Sequence, residues 1–234
     1  MRAVPLEVIG SGEADAELKR DATYEQLLLD IICADIRPND RIDEIALAQR
    51  YGAGRAGVRE ALFRLALEGL VERRPRLGTV VANPGLVELQ QVFQLRVQLE
   101  GQCASLAAHN AREEDIHAIN FALAEAEDII RRRDWRALVQ SDRSFHQAIG
   151  AAARNAWLDR TLRTLHNSAL RFWHYALPRR PVEALHREIN FHREVADAIA
   201  ARDAVAAQKA MRVVLGEFPA TVQGLLADVL EEAP

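Results

Sequence analysis

Leu47-Ala48-Gln49-Arg50-Tyr51-Gly52, followed by Arg55, Val58-Arg59-Glu60-Ala61-Leu62 and Glu68-Gly69-Leu70-Val71, is the stretch that decides the fold of this chain. Ile45, Leu47 and Ala48 give a short helix that runs to Tyr51 and breaks at Gly52. A second helix starts near Arg55, with Val58, Ala61, Leu62, Leu65 and Leu67 as its buried face, and stops at Gly69. Upstream, Leu27, Leu28, Ile31 and Ile32 recur at helical spacing between Thr23 and Ile36, until Pro38-Asn39-Asp40 ends the run. Downstream, Leu70-Val71-Glu72-Arg73 and Thr79-Val80-Val81 are β-prone and flank Arg74-Pro75-Arg76-Leu77-Gly78, which predicts a hairpin with a basic tip. Three helices and a small β-hairpin therefore fill residues 21–82.

Residues 1–20 lack hydrophobic periodicity and read as a mobile arm, and Asn83-Pro84-Gly85 reads as a linker, 83–85. From 86 to 230 the pattern changes to long amphipathic helices without strand signals, expected near 86–110, 113–132, 135–153, 155–177, 181–201 and 203–230. Gly216 and Pro219 interrupt the last of them, so a kink is expected there. The fold class is mainly α: a three-helix and hairpin module followed by an all-α bundle of about six helices.

Composition excludes several classes. With 234 residues, 49% hydrophobic and 27% charged, and only 12 Gly and 8 Pro, the chain is an ordinary globular one rather than disordered or collagen-like. Cys33 and Cys103 are too far apart for ligand spacing and too few for a disulfide framework, which points to a reducing compartment. No run approaches the ~20 apolar residues a bilayer requires, and Glu7, Glu13, Asp15 and Glu17 lie where a secretory signal would need a basic start and an apolar stretch. A cytoplasmic chain without a membrane partner is expected.

The net charge of -4 hides a local reversal. Between Arg50 and Arg76 seven arginines (50, 55, 59, 64, 73, 74 and 76) face three acids, Glu60, Glu68 and Glu72. Solvation alone accounts for many such runs, but placement adds to this one. Arg55 and Arg59 are four apart at the start of a helix and project from one face of its N-terminal end. A helix-turn-helix uses that end to reach base edges in the major groove, where an arginine fork matches the two acceptors of guanine. Arg50, Arg64, Arg74, Arg76 and Gly78 are expected to join Arg55 and Arg59, with the hairpin along the backbone or in the neighbouring minor groove.

These motifs, together with Arg76-Leu77-Gly78-Thr79-Val80-Val81, resemble the winged helix-turn-helix of GntR-type bacterial transcription regulators over about 23–82. Where that family usually reads Ser-Arg-Thr-Pro this chain has Gly54-Arg55-Ala56-Gly57, and Pro38-Asn39 stands for the usual Pro-Gly. The resemblance implies double-stranded DNA as partner, bound by a homodimer on an inverted repeat, with repression as the usual outcome.

In the bundle, helical spacing puts polar side chains on core-facing lines. Leu138, Asp142, Phe145 and Ile149 share a stripe with His146 beside it; Leu185, Ile189, His192, Ala196 and Ile199 share another; Leu89, Val92, Arg96, Leu99 and Cys103 a third. A lone inward histidine is ordinarily a satisfied core group. Four such residues on three helices should meet each other, a metal or an anion, because unpaired buried charge costs several kcal/mol. Leu95-Arg96 with Glu100, Asp142-Arg143-Ser144-Phe145-His146, Asn155, His192 and Met211-Arg212 make 86–230 similar to the FCD ligand-binding domain of FadR-like members.

That similarity implies a divalent metal held by Asp142, His146 and His192, with Val214 where the usual fourth ligand stands, and hence weaker affinity. Such a donor set suits Zn, Ni or Mn. A small carboxylate effector is expected beside it, with Arg96, Glu100 and Asn155 as effector-site residues and Arg96 as the fork that grips it. His166 and His174, eight apart on one helix, could supply a substitute for the missing fourth ligand but read first as surface or pocket-edge residues, and Trp157, Trp173 and Tyr175 read as core packing or pocket lining. Two other readings stay open: a metal-dependent enzyme built on Asp142, His146 and His192, and a constitutive DNA binder with a purely structural bundle. The absence of a phosphate loop or nucleophile elbow favours the regulator over the enzyme.

Overall fold

The computed structural model describes residues 11–216, with side chains from 18 onward. It forms two compact units that divide between Asn83 and Pro84. In the first, α1 (Ser11–Ile32), α2 (Glu44–Arg50) and α3 (Arg55–Leu67) are followed by β1 (Val71–Arg74) and β2 (Gly78–Val81). The strands pair antiparallel, Val71 with Val81 and Arg74 with Gly78. Arg76 and Gly78 take positive φ at the tip, the conformation the tight turn demands and glycine tolerates best. Arg41 bridges to Val80, and Ile42 N–H donates to the Thr79 carbonyl at 2.9 Å, so the segment before α2 extends the wing. Leu27, Leu28, Ile31, Val58, Leu65, Leu70 and Val81 form the core.

Helix α1 begins at Ser11, so residues 11–20 are helical and not the arm expected from their lack of periodicity. The reason is propensity without burial. Ala14, Ala16, Glu17, Leu18, Lys19 and Arg20 all favour helix, and Leu18, Lys19 and Arg20 are exposed, so no apolar stripe announces the segment. The rest of the expected arm lies outside the described residues.

The second unit consists of α4 (Leu86–Asn110), α5 (Glu113–Ala122), α6 (Ala126–Arg132), α7 (Trp135–Ala152), α8 (Ala156–Ala176), a single 3-10 turn at Leu177–Arg179, α9 (Val182–Ala200) and α10 (Ala204–Gly216). Helix α4 is central and packs against α7, α8, α9 and α10. The expected single helix over 113–132 is two. Its break at Leu123–Glu125 buries Leu123 and Ala126 together, and the Ser141 hydroxyl donates to the freed Ala122 carbonyl at 2.6 Å. Neither glycine nor proline marks that break. Asp134 and Asn155 cap α7 and α8 with side-chain oxygens that accept from Ala137 and Leu158 N–H. The kink expected at Pro219 and the continuation to 230 lie outside the described residues.

Candidate nucleic-acid interface and metal centre

Arg55 and Arg59 open α3 one turn apart, both exposed, at the rim of a concavity that Arg41, Arg73, Arg74, Arg76, Gly78 and Thr79 also line. Gly54 is the N-cap and makes no side-chain bond, so the N–H groups at the start of α3 keep no side-chain partner from it. Arg59 donates to Glu44 at 2.8 Å and Arg74 to Glu72 at 2.6 Å, exposed pairs worth at most about 1 kcal/mol each and readily exchanged for phosphate or base. Arg50 and Arg64 are placed differently. Arg50 pairs at 2.9 Å with Asp30, a buried carboxylate that also accepts from the Tyr51 hydroxyl, and Arg64 pairs with Asp21 at 2.6 Å while stacking over Tyr24. Both tie α1 to the helices that follow it, away from the concavity. Arg41 was not anticipated, because it precedes the arginine-rich window and reaches the wing only through its pairing with Val80.

Inside the bundle, side chains from α4, α7, α8 and α9 meet in one buried cluster. Asp142 Oδ1 lies 3.9 Å from His146 Nε2 and 3.3 Å from His192 Nε2, while Asp142 Oδ2 lies 3.0 Å from His166 Nε2. On the other side of His146, its Nδ1 is 2.6 Å from Glu100 Oε2. Arg96 donates from Nε to Glu100 Oε1 at 2.5 Å, and its Nη2 lies 2.8 Å from His166 Nδ1. His166 is 4% exposed and so is no surface residue; it lines the cavity on the Glu100 side. It falls on a stripe with Leu162, Ala169 and Trp173, a spacing that carried the signal. His174 is half-buried and lies outside both metal-capable groups found among the described residues.

Two cavities flank the cluster. One of about 40 Å³ is lined by Phe93, Arg96, Asp142, Trp173, Arg180 and Val214 among others, with His146 and His192 in its wall. The other, about 20 Å³, lies on the Glu100 and His166 side. Arg180 and Glu188 pair in the first, and the Trp173 indole donates to Glu188 at 3.1 Å; the first two were not singled out from the sequence, where nothing distinguishes them from surface charge. Asn155 lines neither cavity and is an exposed helix cap. Trp157 and Tyr175 are exposed under Arg160 and Arg179, so Trp173 alone of the three aromatics is buried.

Charge states follow from the packing. Burial works against the Asp142 carboxylate, but the imidazoles of His166 and His192 that face it hold it well below the usual range. Glu100 is likewise lowered, burial being outweighed by Arg96 and His146. Burial, then the Arg96 charge, push His166 down to about 4, whereas for His192 the pull of burial is outweighed by Asp142 and its value is raised.

For the metal-free protein this gives a sign. Unfolded His166 takes up a proton below about 6.5 and the folded residue does not until about 4, so stability is lost as pH falls through that window. His192 contributes oppositely, with its stabilisation complete below 6.5 and lost only as pH rises through its raised value. Chemical denaturation of metal-free protein at pH 7 and pH 4.5 should show a loss that His166→Gln diminishes; an equal loss in both proteins would show that His166 does not carry it.

The cluster fits a cation. Glu100 Oε2, His166 Nε2 and His192 Nε2 are buried and complete no aligned hydrogen bond despite their short approaches. One ligand atom from each of Asp142, His146 and His192 lies within 4.8 Å of the others, and the same is true of Glu100, His146 and His166. Val214 lines the cavity beside the first trio and supplies no donor.

A winged helix-turn-helix and a separate helical unit with a polar, cation-ready core define a DNA-binding regulator with a sensing domain. The comparisons agree: the model described as "Bacterial regulatory proteins, gntR family" matches residues 19–81 and the FCD domain model matches 91–217. The chain belongs to the GntR family of bacterial transcription regulators and carries an FCD domain as its ligand-binding regulatory part. It is 28% identical to the HTH-type transcriptional regulator LutR of Bacillus subtilis, over 85% of this chain and 96% of that protein. It is 30% identical to the HTH-type transcriptional repressor GlaR of Escherichia coli, over 81% of this chain and 89% of that protein. The match to YdhC of Bacillus subtilis, at 26%, covers 59% of this chain and 62% of that protein. Among solved structures, McbR/YncC of E. coli shares the fold with a TM-score of 0.77 at 20% identity, over 88% of this chain and 98% of that one. No described helix is long and apolar enough to cross a membrane.

Proposed function

We propose that the protein is a cytoplasmic repressor that binds an inverted-repeat operator as a homodimer and is released by a small carboxylate, sensed beside a divalent metal held by Asp142, His146 and His192. The observation that carries this reading is the convergence of those three side chains, one ligand atom of each within 4.8 Å of the others, on the wall of a cavity that Arg96 and Arg180 also line. Repression is supported by relatives named as repressors, GlaR and RspR of E. coli. Zinc, nickel and manganese suit the donor set, and the bound ion would supply a Lewis-acidic position for an effector oxygen. Arg96 keeps its place on the cavity wall, with Glu100 as its counter-ion rather than as a direct effector contact.

For DNA, Arg55 and Arg59 reach the bases while Arg41, Arg73, Arg74 and Arg76 hold the backbone, and Gly78 lets the wing tip approach closely. Two-fold symmetry doubles the few base pairs that one module reads. Arg59→Ala is expected to weaken operator binding by about 1–3 kcal/mol, if it makes a bidentate base contact, in fluorescence anisotropy on a genomically selected site. Unchanged affinity removes Arg59 from the base-reading set. A monomer in light scattering at micromolar concentration removes the dimer.

A further inference from the structure

Hydrogen-bond chemistry at the cluster distinguishes the two trios. Arginine has only donors, so the His166 Nδ1 that faces Arg96 Nη2 at 2.8 Å must be the unprotonated nitrogen. With Nδ1 unprotonated, His166 is neutral and carries its proton on Nε2, which lies 3.0 Å from Asp142 Oδ2. Its one lone pair is committed to Arg96, which leaves none for a metal. His146 is oriented the opposite way. Its Nδ1 faces the Glu100 carboxylate at 2.6 Å and takes the proton, which leaves the Nε2 lone pair on the side of Asp142 and His192. His192 Nδ1 lies 2.7 Å from the Glu188 carbonyl and must donate there, so in the neutral ring Nε2 carries the lone pair, on the side of Asp142. The trio with available lone pairs is thus Asp142, His146 and His192; Glu100 and His166 stand behind it.

Both supporting residues end on one side chain. We propose that Arg96 is the positioning residue of the metal centre: by holding Glu100 and His166 at once, it selects the nitrogen that His146 presents and the orientation of Asp142. A planar guanidinium can do this because Nε and Nη2 diverge in fixed directions, which an ammonium cannot reproduce. Arg96 is 5% exposed, and the partners of its Nε and Nη2 are both inside the protein. The assignment rests on the metal reading above and explains why a chain lacking a donor at residue 214 still has a buried arginine, glutamate and third histidine around the other three.

The test is zinc affinity by chelator competition, and the visible spectrum of the cobalt form, for the full chain and three variants. Removing an outer partner of a metal ligand typically costs 10–100-fold in affinity. Arg96→Lys and His166→Leu should each show that loss, with cobalt band positions unchanged once the site is saturated. His166→Gln should stay close to wild type, because its amide can accept from Arg96 and donate to Asp142. Should Arg96→Lys not fold, the His166 pair decides the matter. If His166→Gln binds as weakly as His166→Leu and both shift the cobalt bands, His166 is itself a ligand and the assignment is wrong. Wild-type affinity in Arg96→Lys or His166→Leu also overturns it. Failure of the wild type to bind zinc or cobalt is a separate result that removes the metal reading and this inference with it.

Discussion

Saturating zinc or nickel should raise the melting temperature of the metal-free protein by on the order of 10 °C, and Asp142→Ala should abolish the rise. An ion present at a thousand times its dissociation constant stabilises the native state by about 4 kcal/mol, and a domain of 150–250 residues gains roughly 2–4 °C per kcal/mol. The gain belongs to the helical unit, since all three proposed ligands lie on α7 and α9. Asp142→Ala should lose most, because Asp142 is the only carboxylate of the trio and the group that both His166 and His192 face. Val214→His is the complementary change. Val214 is 7% exposed and lines the same cavity, so an imidazole there offers a fourth donor, and the zinc-dependent shift should grow. Differential scanning calorimetry with and without chelator measures both. A wild-type protein whose transition ignores zinc, nickel and manganese has a hydrogen-bonded core cluster in place of a metal site.

What sequence could reveal here depended on whether a residue's role is local. Asp142 and His146 are one helical turn apart on a stripe with Phe145 and Ile149, so their inward direction follows from period alone. The hairpin is legible for the same reason, as Arg74 to Gly78 carries its own turn chemistry. His166 lies on an equally regular stripe, and reading it with Leu162 and Trp173 rather than with His174 is what shows that it faces the core. Arg180 and Glu188 come together because a 3-10 turn reverses the chain between α8 and α9, and Arg41 joins the basic concavity because its segment pairs with β2. No pattern of spacing encodes such long-range placements. The start of α1 fails for another reason: periodicity detects burial, and Leu18, Lys19 and Arg20 are helical while exposed.

Charge balance in the cavity makes the effector response conditional on the metal. Arg96 and Arg180 bring two positive charges, matched by Glu100 and Glu188, and Asp142 is matched by His192 only while that imidazole keeps the proton its raised value favours; above that value Asp142 is an unmatched negative charge. A carboxylate brought there to about 4 Å from Asp142 meets roughly 4 kcal/mol of repulsion at an effective dielectric near 20, which disfavours its entry into the metal-free cavity above the His192 value. A divalent ion reverses the sign of the site. A small carboxylate bound there, preferring a bundle arrangement incompatible with two correctly spaced recognition helices, must loosen the operator by the factor by which operator loosens it. Couplings of this kind are about 1–3 kcal/mol, so a saturating carboxylate should raise the operator dissociation constant by roughly 5–150-fold in zinc-loaded protein and leave it unchanged in chelated protein. A panel of short mono- and dicarboxylates, read by anisotropy on the operator, tests this. Arg180→Met removes a cavity cation and leaves Glu188 without that partner, and it does not itself remove a proposed ligand. It should therefore blunt the response while keeping zinc affinity and effector-free DNA affinity. Release that persists in chelator, with the wild-type midpoint, would mean that the carboxylate is recognised elsewhere and that the metal does not gate its entry.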